Sequence, residues 1–145
     1  MEAKRPILLD TGPLVALLVR SDRHHQKAKA LFASLRHPLI TCEAVLSETC
    51  FLMAKADPRG PDEVLALARK GLYEIPFQLS ATTEAIELLL KKYRTVPISL
   101  ADACLIQMAN QHDTPFIATF DSDFHIYRWG RNKRFQIMPE FGQCR

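Results

Sequence analysis

One stretch near the start of the chain restricts the fold more than any other: Pro6-Ile-Leu-Leu-Asp10-Thr11-Gly12-Pro13. Three consecutive large apolar residues without polar alternation suit a short strand buried on both faces, as in parallel sheets covered by helices. Gly12 permits a tight turn, and Pro13 fits the first turn of a helix, where its missing N–H costs nothing. Leu14 to Val19 are apolar and uncharged, so the predicted helix is buried too. Between strand and helix sits Asp10. An ionised carboxylate there is costly unless a cation meets it, and no Lys or Arg lies between Asp10 and Arg20. Ligands of open α/β sheets bind outside the carboxyl ends of the strands. Asp10 is therefore the first candidate site residue.

Short β segments alternate with helical ones along the rest of the chain. Helical spacing and breakers predict helices from His24 to Arg36, Cys42 to Lys55, Asp62 to Lys70, Ser80 to about Tyr93, and Ser99 to Gln111. Pro38 to Thr41 and Pro115 to Thr119 read as buried strands, and Phe135 to Met138 as a last one. Tyr73 to Leu79 reads as a strand that Pro76 confines to an edge, and Pro58-Arg-Gly-Pro61 as a loop. The expected fold class is α/β: a single domain over residues 1–145, in three layers, with a central parallel sheet of four to five short strands and helices on both faces.

With 48% hydrophobic and 24% charged residues in 145, the chain can bury a core and is not of disordered composition. The net charge of +3 permits a polyanionic partner without demanding one. Cys42, Cys50, Cys104 and Cys144 form no CxxC pair, and the first three lie in apolar helical stretches, so they read as small buried thiols. No apolar run approaches membrane-spanning length, and the first residues lead straight into a strand without a leader. A cytoplasmic protein with no membrane contact is expected.

Most of the sixteen acidic residues sit on solvated helix faces. The exceptions carry the chemistry. Asp102, in Ile98-Ser-Leu-Ala-Asp102-Ala-Cys-Leu-Ile, shares a helical face with Leu105, Ile106 and Ala109, although a capping box with Ser99 also accounts for it. Glu48 falls at one edge of the apolar stripe of its helix and Glu43 at the other, and spacing does not choose between them. Asp121-Ser-Asp123 follows a strand directly, as Asp10 does, although a simple Asx turn would use the same residues. Acids converging on one end of a sheet repel one another unless cations intervene. All-oxygen ligation suits Mg²⁺ or Mn²⁺ rather than zinc, and a divalent ion held by acids commonly handles phosphates. His24-His25, among charges at a helix start, reads as surface.

Four segments together resemble the PIN-domain nucleases: Leu8-Leu-Asp10-Thr-Gly-Pro-Leu-Val-Ala-Leu, Val45-Leu-Ser-Glu48, Ser99-Leu-Ala-Asp102-Ala and Ala118-Thr-Phe-Asp121-Ser-Asp-Phe124. Each is weak alone, and their order and distances make the resemblance specific over nearly the whole chain. It implies that Asp10, Glu48, Asp102 and Asp121 are the catalytic acids, with Asp123 sharing or replacing the fourth. Metal ligation would fall to Asp10, Asp102, Asp121 and Asp123, and supporting hydroxyls to Thr11 and Thr119. It further implies Mg²⁺- or Mn²⁺-dependent cleavage of RNA. Small single-domain members similar to the virulence-associated toxins commonly form homodimers silenced by a small antitoxin. A PIN fold working in RNA processing, or kept only as an interaction scaffold, is the alternative. The scaffold would predict lost acids, and none of the four is lost.

Two other readings fall short. Leu9-Asp10-Thr11-Gly12 also matches the Asp-Thr-Gly of aspartic proteases, but those are nearly all β. A phosphatase of the haloacid dehalogenase type would want Asp at position 12, where there is Gly. The segment Tyr127-Arg128-Trp129-Gly-Arg131-Asn-Lys133-Arg134 could grip RNA, with phosphate contacts from Arg128, Arg131, Lys133 and Arg134 and base stacking on Trp129. A solvated basic loop protecting a sheet edge is the simpler account.

Overall fold

The computed structural model describes residues 4–139, so Cys144 lies outside the described residues. The strands β1 (Ile7–Leu9), β2 (Leu39–Ile40), β3 (Phe116–Ala118) and β6 (Gln136–Met138) form one sheet in the order β2-β1-β3-β6, and every pairing in it is parallel. The helices are α1 (Thr11–Leu18), α2 (His25–Ser34), α3 (Glu43–Ala56), α4 (Gly60–Arg69), α5 (Thr83–Lys92) and α6 (Leu100–His112). A two-stranded antiparallel ribbon, β4 (Arg128–Trp129) with β5 (Lys133–Arg134), precedes β6.

Strands β1 and β2 are buried throughout, and their successive side chains point to opposite faces of the sheet. Ile7, Leu9, Leu39 and Ala118 face a cluster with Leu14, Leu31, Leu46 and Val64, so α1, α2 and α4 cover that side. Leu8, Ile40 and Ile117 face the opposite cluster, which Ile86 of α5 and Cys104, Leu105 and Met108 of α6 complete. Helix α3 contributes to both. The expected three-layer α/β fold with a parallel sheet is the one observed.

Three local expectations are corrected. Tyr73 to Leu79 is no strand: a single parallel bridge joins Glu74 to Ile40, and a 3₁₀ turn follows at Leu79–Ala81. Pro58 to Pro61 is only half loop, since α4 begins at Gly60. A Cβ on Gly60 would stand 2.6 Å from the Met53 carbonyl oxygen, so the absent side chain is what lets α4 lie against α3. The basic segment is an ordered hairpin, turned by Gly130 and Asn132 in the left-handed region (φ 55° and 60°). The expected last strand falls at β6.

The ladder continues past the strands at the edge that matters. The Asp10 N–H donates to the Ala118 carbonyl at 3.0 Å, and the Thr119 N–H to that of Met138 at 3.1 Å. Both residues are thereby held at the carboxyl edge of the sheet.

Candidate active site

Asp10 is the N-cap of α1. Its Oδ1 accepts from the Thr11 N–H at 2.8 Å, and its Oδ2 accepts from the Thr119 hydroxyl at 2.7 Å. Thr119 Oγ1 in turn accepts from the Asp121 N–H at 2.9 Å. Asp121 caps the following 3₁₀ turn, Ser122–His125, by accepting from the Asp123 N–H at 2.9 Å. The Asx turn weighed against a site role for this segment is thus formed, with Asp121 as its acceptor. On α3 the Thr11 hydroxyl reaches Glu48 Oε2 at 3.2 Å, across 37 positions of sequence.

Asp102 lies in the first turn of α6, where the Ser99 hydroxyl accepts its N–H at 3.0 Å. The cap is thus made by the backbone of Asp102, while its carboxylate accepts through Oδ2 from the Tyr127 hydroxyl at 3.0 Å. Asp10, Glu48, Asp102, Asp121 and Asp123 all line one cleft of about 440 Å³, with Thr11, Gly12, Leu52, Pro97, Ser99 and Phe120. No Lys, Arg or His is among those lining residues. Glu43 is exposed in the first turn of α3 and does not line the cleft.

Burial is the largest influence on both deep acids. It raises the Asp10 pKa to about 6, against the lowering effect of the Thr119 and Thr11 hydrogen bonds, and the charges of Asp121 and Glu48 raise it further. Burial likewise raises Asp102 to about 7, with the charge of Asp10 next, while the Tyr127 hydroxyl works in the opposite direction. Burial also pushes the Tyr127 phenol upward, so it remains a donor at neutral pH. A protein that gathers like charges into low dielectric without a basic neighbour forgoes stability there, as functional sites do.

Among the described residues, no three acid, His or Cys side chains are gathered into a ready-made metal cage. Mg²⁺ does not need one: it keeps several waters and is commonly bound by one or two carboxylates plus substrate phosphates. The all-oxygen donors of the cleft, Asp10, Glu48, Asp102, Asp121 and Asp123, fit that mode.

The PIN domain family model matches residues 7–130. The chain belongs to the PIN domain family. The matched span contains all five cleft acids and runs from β1 into the hairpin. Among solved structures, Mycobacterium tuberculosis VapC20, described as a sarcin–ricin loop cleaving toxin, is 25% identical, with a TM-score of 0.71 over 81% of this chain and 91% of that one. Rickettsia felis VapBC2, solved bound to a DNA fragment from its promoter, is 15% identical with a TM-score of 0.59, over 91% and 98% of the two chains, and shares the fold. No curated protein matches the chain in sequence.

Outside the cleft, the hairpin bears on the two readings of the basic segment, an RNA grip or a solvated loop at a sheet edge. Trp129 is 5% exposed, its indole N–H donates to the Arg134 carbonyl, and the Lys133 ammonium sits over its ring at 4.7 Å. It packs inward and presents no face for base stacking. Arg128 is turned back on the chain, donating to the carbonyls of His125, Ile126 and Tyr127. Arg131, Lys133 and Arg134 are exposed. His24 and His25 are half-buried at the surface, each with a partner. His24 stacks on Phe120 at 4.4 Å, and His25 bonds the Ala16 carbonyl at 2.7 Å through Nδ1. Tyr127 was not singled out from sequence as a site residue. Its sign there was slight: an aromatic three residues after Phe124, inside a stretch that reads as basic.

Proposed function

We propose that the protein is a Mg²⁺- or Mn²⁺-dependent endoribonuclease, a hydrolase of RNA phosphodiester bonds, acting as the toxin of a type II toxin–antitoxin pair. The observation that carries this reading is the convergence of five carboxylates, with no basic residue, on one cleft at the carboxyl edge of the parallel sheet. A polyanionic substrate would enter such a cleft only together with cations. When bound, a divalent ion supplies charge neutralisation at the phosphate and a more acidic water. Asp10, Asp102, Asp121 and Asp123 would hold it, and Glu48 would orient the attacking water from α3. Thr119 and Thr11 fix the rotamers of Asp10 and Glu48 by the hydrogen bonds already described. The exposed cations Arg131, Lys133 and Arg134 would meet the RNA backbone at a distance from the chemistry.

The likeness to VapC20 supports the toxin reading, and the VapBC2 fold match is consistent with an antitoxin partner. Phe51, Leu52 and Leu100 are 63%, 40% and 45% exposed beside the acids. An apolar-lined groove of about 450 Å³ runs between α3 and the start of α6. A small antitoxin would cover that face, and a homodimer is part of the same proposal. No helix among the described residues is long and apolar enough to cross a membrane, and the proposed RNA substrate fits a cytoplasmic site of action.

The test is cleavage of a structured RNA by purified protein with Mn²⁺, with EDTA, and with Asp10→Asn. Cleavage should require the metal and fall by orders of magnitude in the variant. Undiminished cleavage in EDTA would overturn the reading.

A further inference from the structure

We propose that Tyr127 is a positioning residue for Asp102, fixing the orientation in which that carboxylate meets a divalent cation. This rests on the reading of Asp102 as a metal ligand. Tyr127 has no exposed surface and is among the largest fully buried side chains of the protein. A phenol buried so deeply must have a hydrogen-bond partner. Its partner is the carboxylate of the cleft: Tyr127 Oη donates to Asp102 Oδ2 at 3.0 Å.

The ring is held from two sides. Tyr93 and Phe124 each pack edge-on to it at 5.0 Å, at 71° and 86°. Tyr93 also accepts, through its hydroxyl, the N–H of Arg128 at 2.9 Å, so the backbone next to Tyr127 is tied to the same aromatic group. An Asp side chain has a broad terminal torsion when left alone. Here Oδ2 is engaged from the core side by a phenol whose ring is packed between two aromatic neighbours, which restricts that torsion. Carboxylate ligands held by such outer partners typically lose metal affinity when the partner is removed.

The experiment measures Mn²⁺ binding to the full chain by titration calorimetry for wild type, Tyr127→Phe, Asp102→Asn and the double variant, with RNA cleavage followed across Mn²⁺ concentrations. Tyr127→Phe keeps the ring contacts and should weaken Mn²⁺ binding about tenfold or more. Its cleavage should recover as Mn²⁺ is raised. Because Tyr127 acts through Asp102, adding the substitution to Asp102→Asn should change the dissociation constant by less than about twofold. Tyr93→Phe removes a buried hydroxyl that does not touch Asp102, and should also leave binding within about twofold.

Unchanged Mn²⁺ affinity in Tyr127→Phe overturns the inference, as does an undiminished effect in the Asp102→Asn background. Equal weakening by Tyr93→Phe would return Tyr127 to core packing. Each of those results leaves the nuclease reading standing. A wild type that neither binds Mn²⁺ nor cleaves RNA would remove that reading, and the inference with it.

Discussion

Replacing Asp102 by Asn should make the metal-free protein more stable, and the size of the gain follows from the site. Asp102 is 8% exposed, and its pKa is raised from 3.8 to about 7 by burial first and by Asp10 second. Between those two values the folded chain holds a proton that the unfolded chain has lost. Stability therefore falls as pH rises toward the folded pKa, and the loss is complete above it. Integrated at 1.36 kcal/mol per unit, the loss from this group is about 4 kcal/mol at pH 8 and about 1.5 kcal/mol at pH 5. Water entry and local relaxation reduce penalties of this kind; with half surviving, Asn gains about 2 kcal/mol at pH 8. Weakened interaction with the dipole of α6 takes back about 0.5 kcal/mol. The cap itself survives, because Ser99 holds the backbone N–H of residue 102, and an Asn carbonyl can still accept from Tyr127. At about 2–4 °C per kcal/mol for a chain of this size, the melting temperature should rise by roughly 3–6 °C at pH 8 and by a smaller margin at pH 5. Calorimetric melts of EDTA-treated protein measure this directly. Added Mn²⁺ at a hundred times its dissociation constant should stabilise wild type by about 2.7 kcal/mol and the variant much less. A variant that melts lower at pH 8 without metal would refute the reasoning, because a carboxylate that only favours the helix dipole predicts that sign.

Glu48→Gln should reduce RNA cleavage by orders of magnitude while Glu43→Gln stays near wild type; equal damage from both would mean that the Thr11 contact does not mark the working acid of α3. Replacing Arg131, Lys133 and Arg134 by Ala should weaken RNA binding and lower the slope of log affinity against log salt by about 2, at roughly 0.7 per phosphate contact on single strands; an unchanged slope in filter binding would confine the hairpin to protecting the sheet edge. Gly60→Ala should lower the denaturation free energy by about 2 kcal/mol in urea melts, since its Cβ would meet backbone and side chain of Met53 within 3 Å; a neutral result would show that α4 can shift away from α3 at no cost.

The parts of the fold written in plain apolar runs were legible in the chain. Ile7 to Leu9, Ile117, Ala118 and, on α6, Cys104, Leu105, Ile106 and Met108 are buried, and no charge interrupts those runs. The misread segments share a different cause. Tyr73, Ile75 and Phe77 alternate like a strand, yet the chain there meets the sheet at one bridge, and Pro76 has no N–H to extend it. Gly60 looked like a loop residue because Pro and Gly punctuate that stretch; its reason is the close approach of α3, which no local pattern records. In the hairpin, the surrounding charge suggested a solvated loop or a Trp129 free to stack on bases, and tertiary burial of the indole outweighed it.

The candidate site was legible for a related reason: a carboxylate with no local excuse is conspicuous in an apolar run. Asp10 and Asp102 stand out because their sequence neighbours are the core itself, and the same burial raises the pKa of each. Glu48 could not be separated from Glu43 by periodicity, because both edges of a helical stripe are equally half-buried in a wheel. The difference is a hydroxyl delivered from α1, 37 residues away in sequence. Tyr127 was hidden for the same reason, since its partner on α6 lies 25 residues earlier. Acids that cost stability can be read one at a time along the chain. The groups that orient them are found only once the fold has brought β1, α3, α6 and the turn before β4 to the same edge of the sheet.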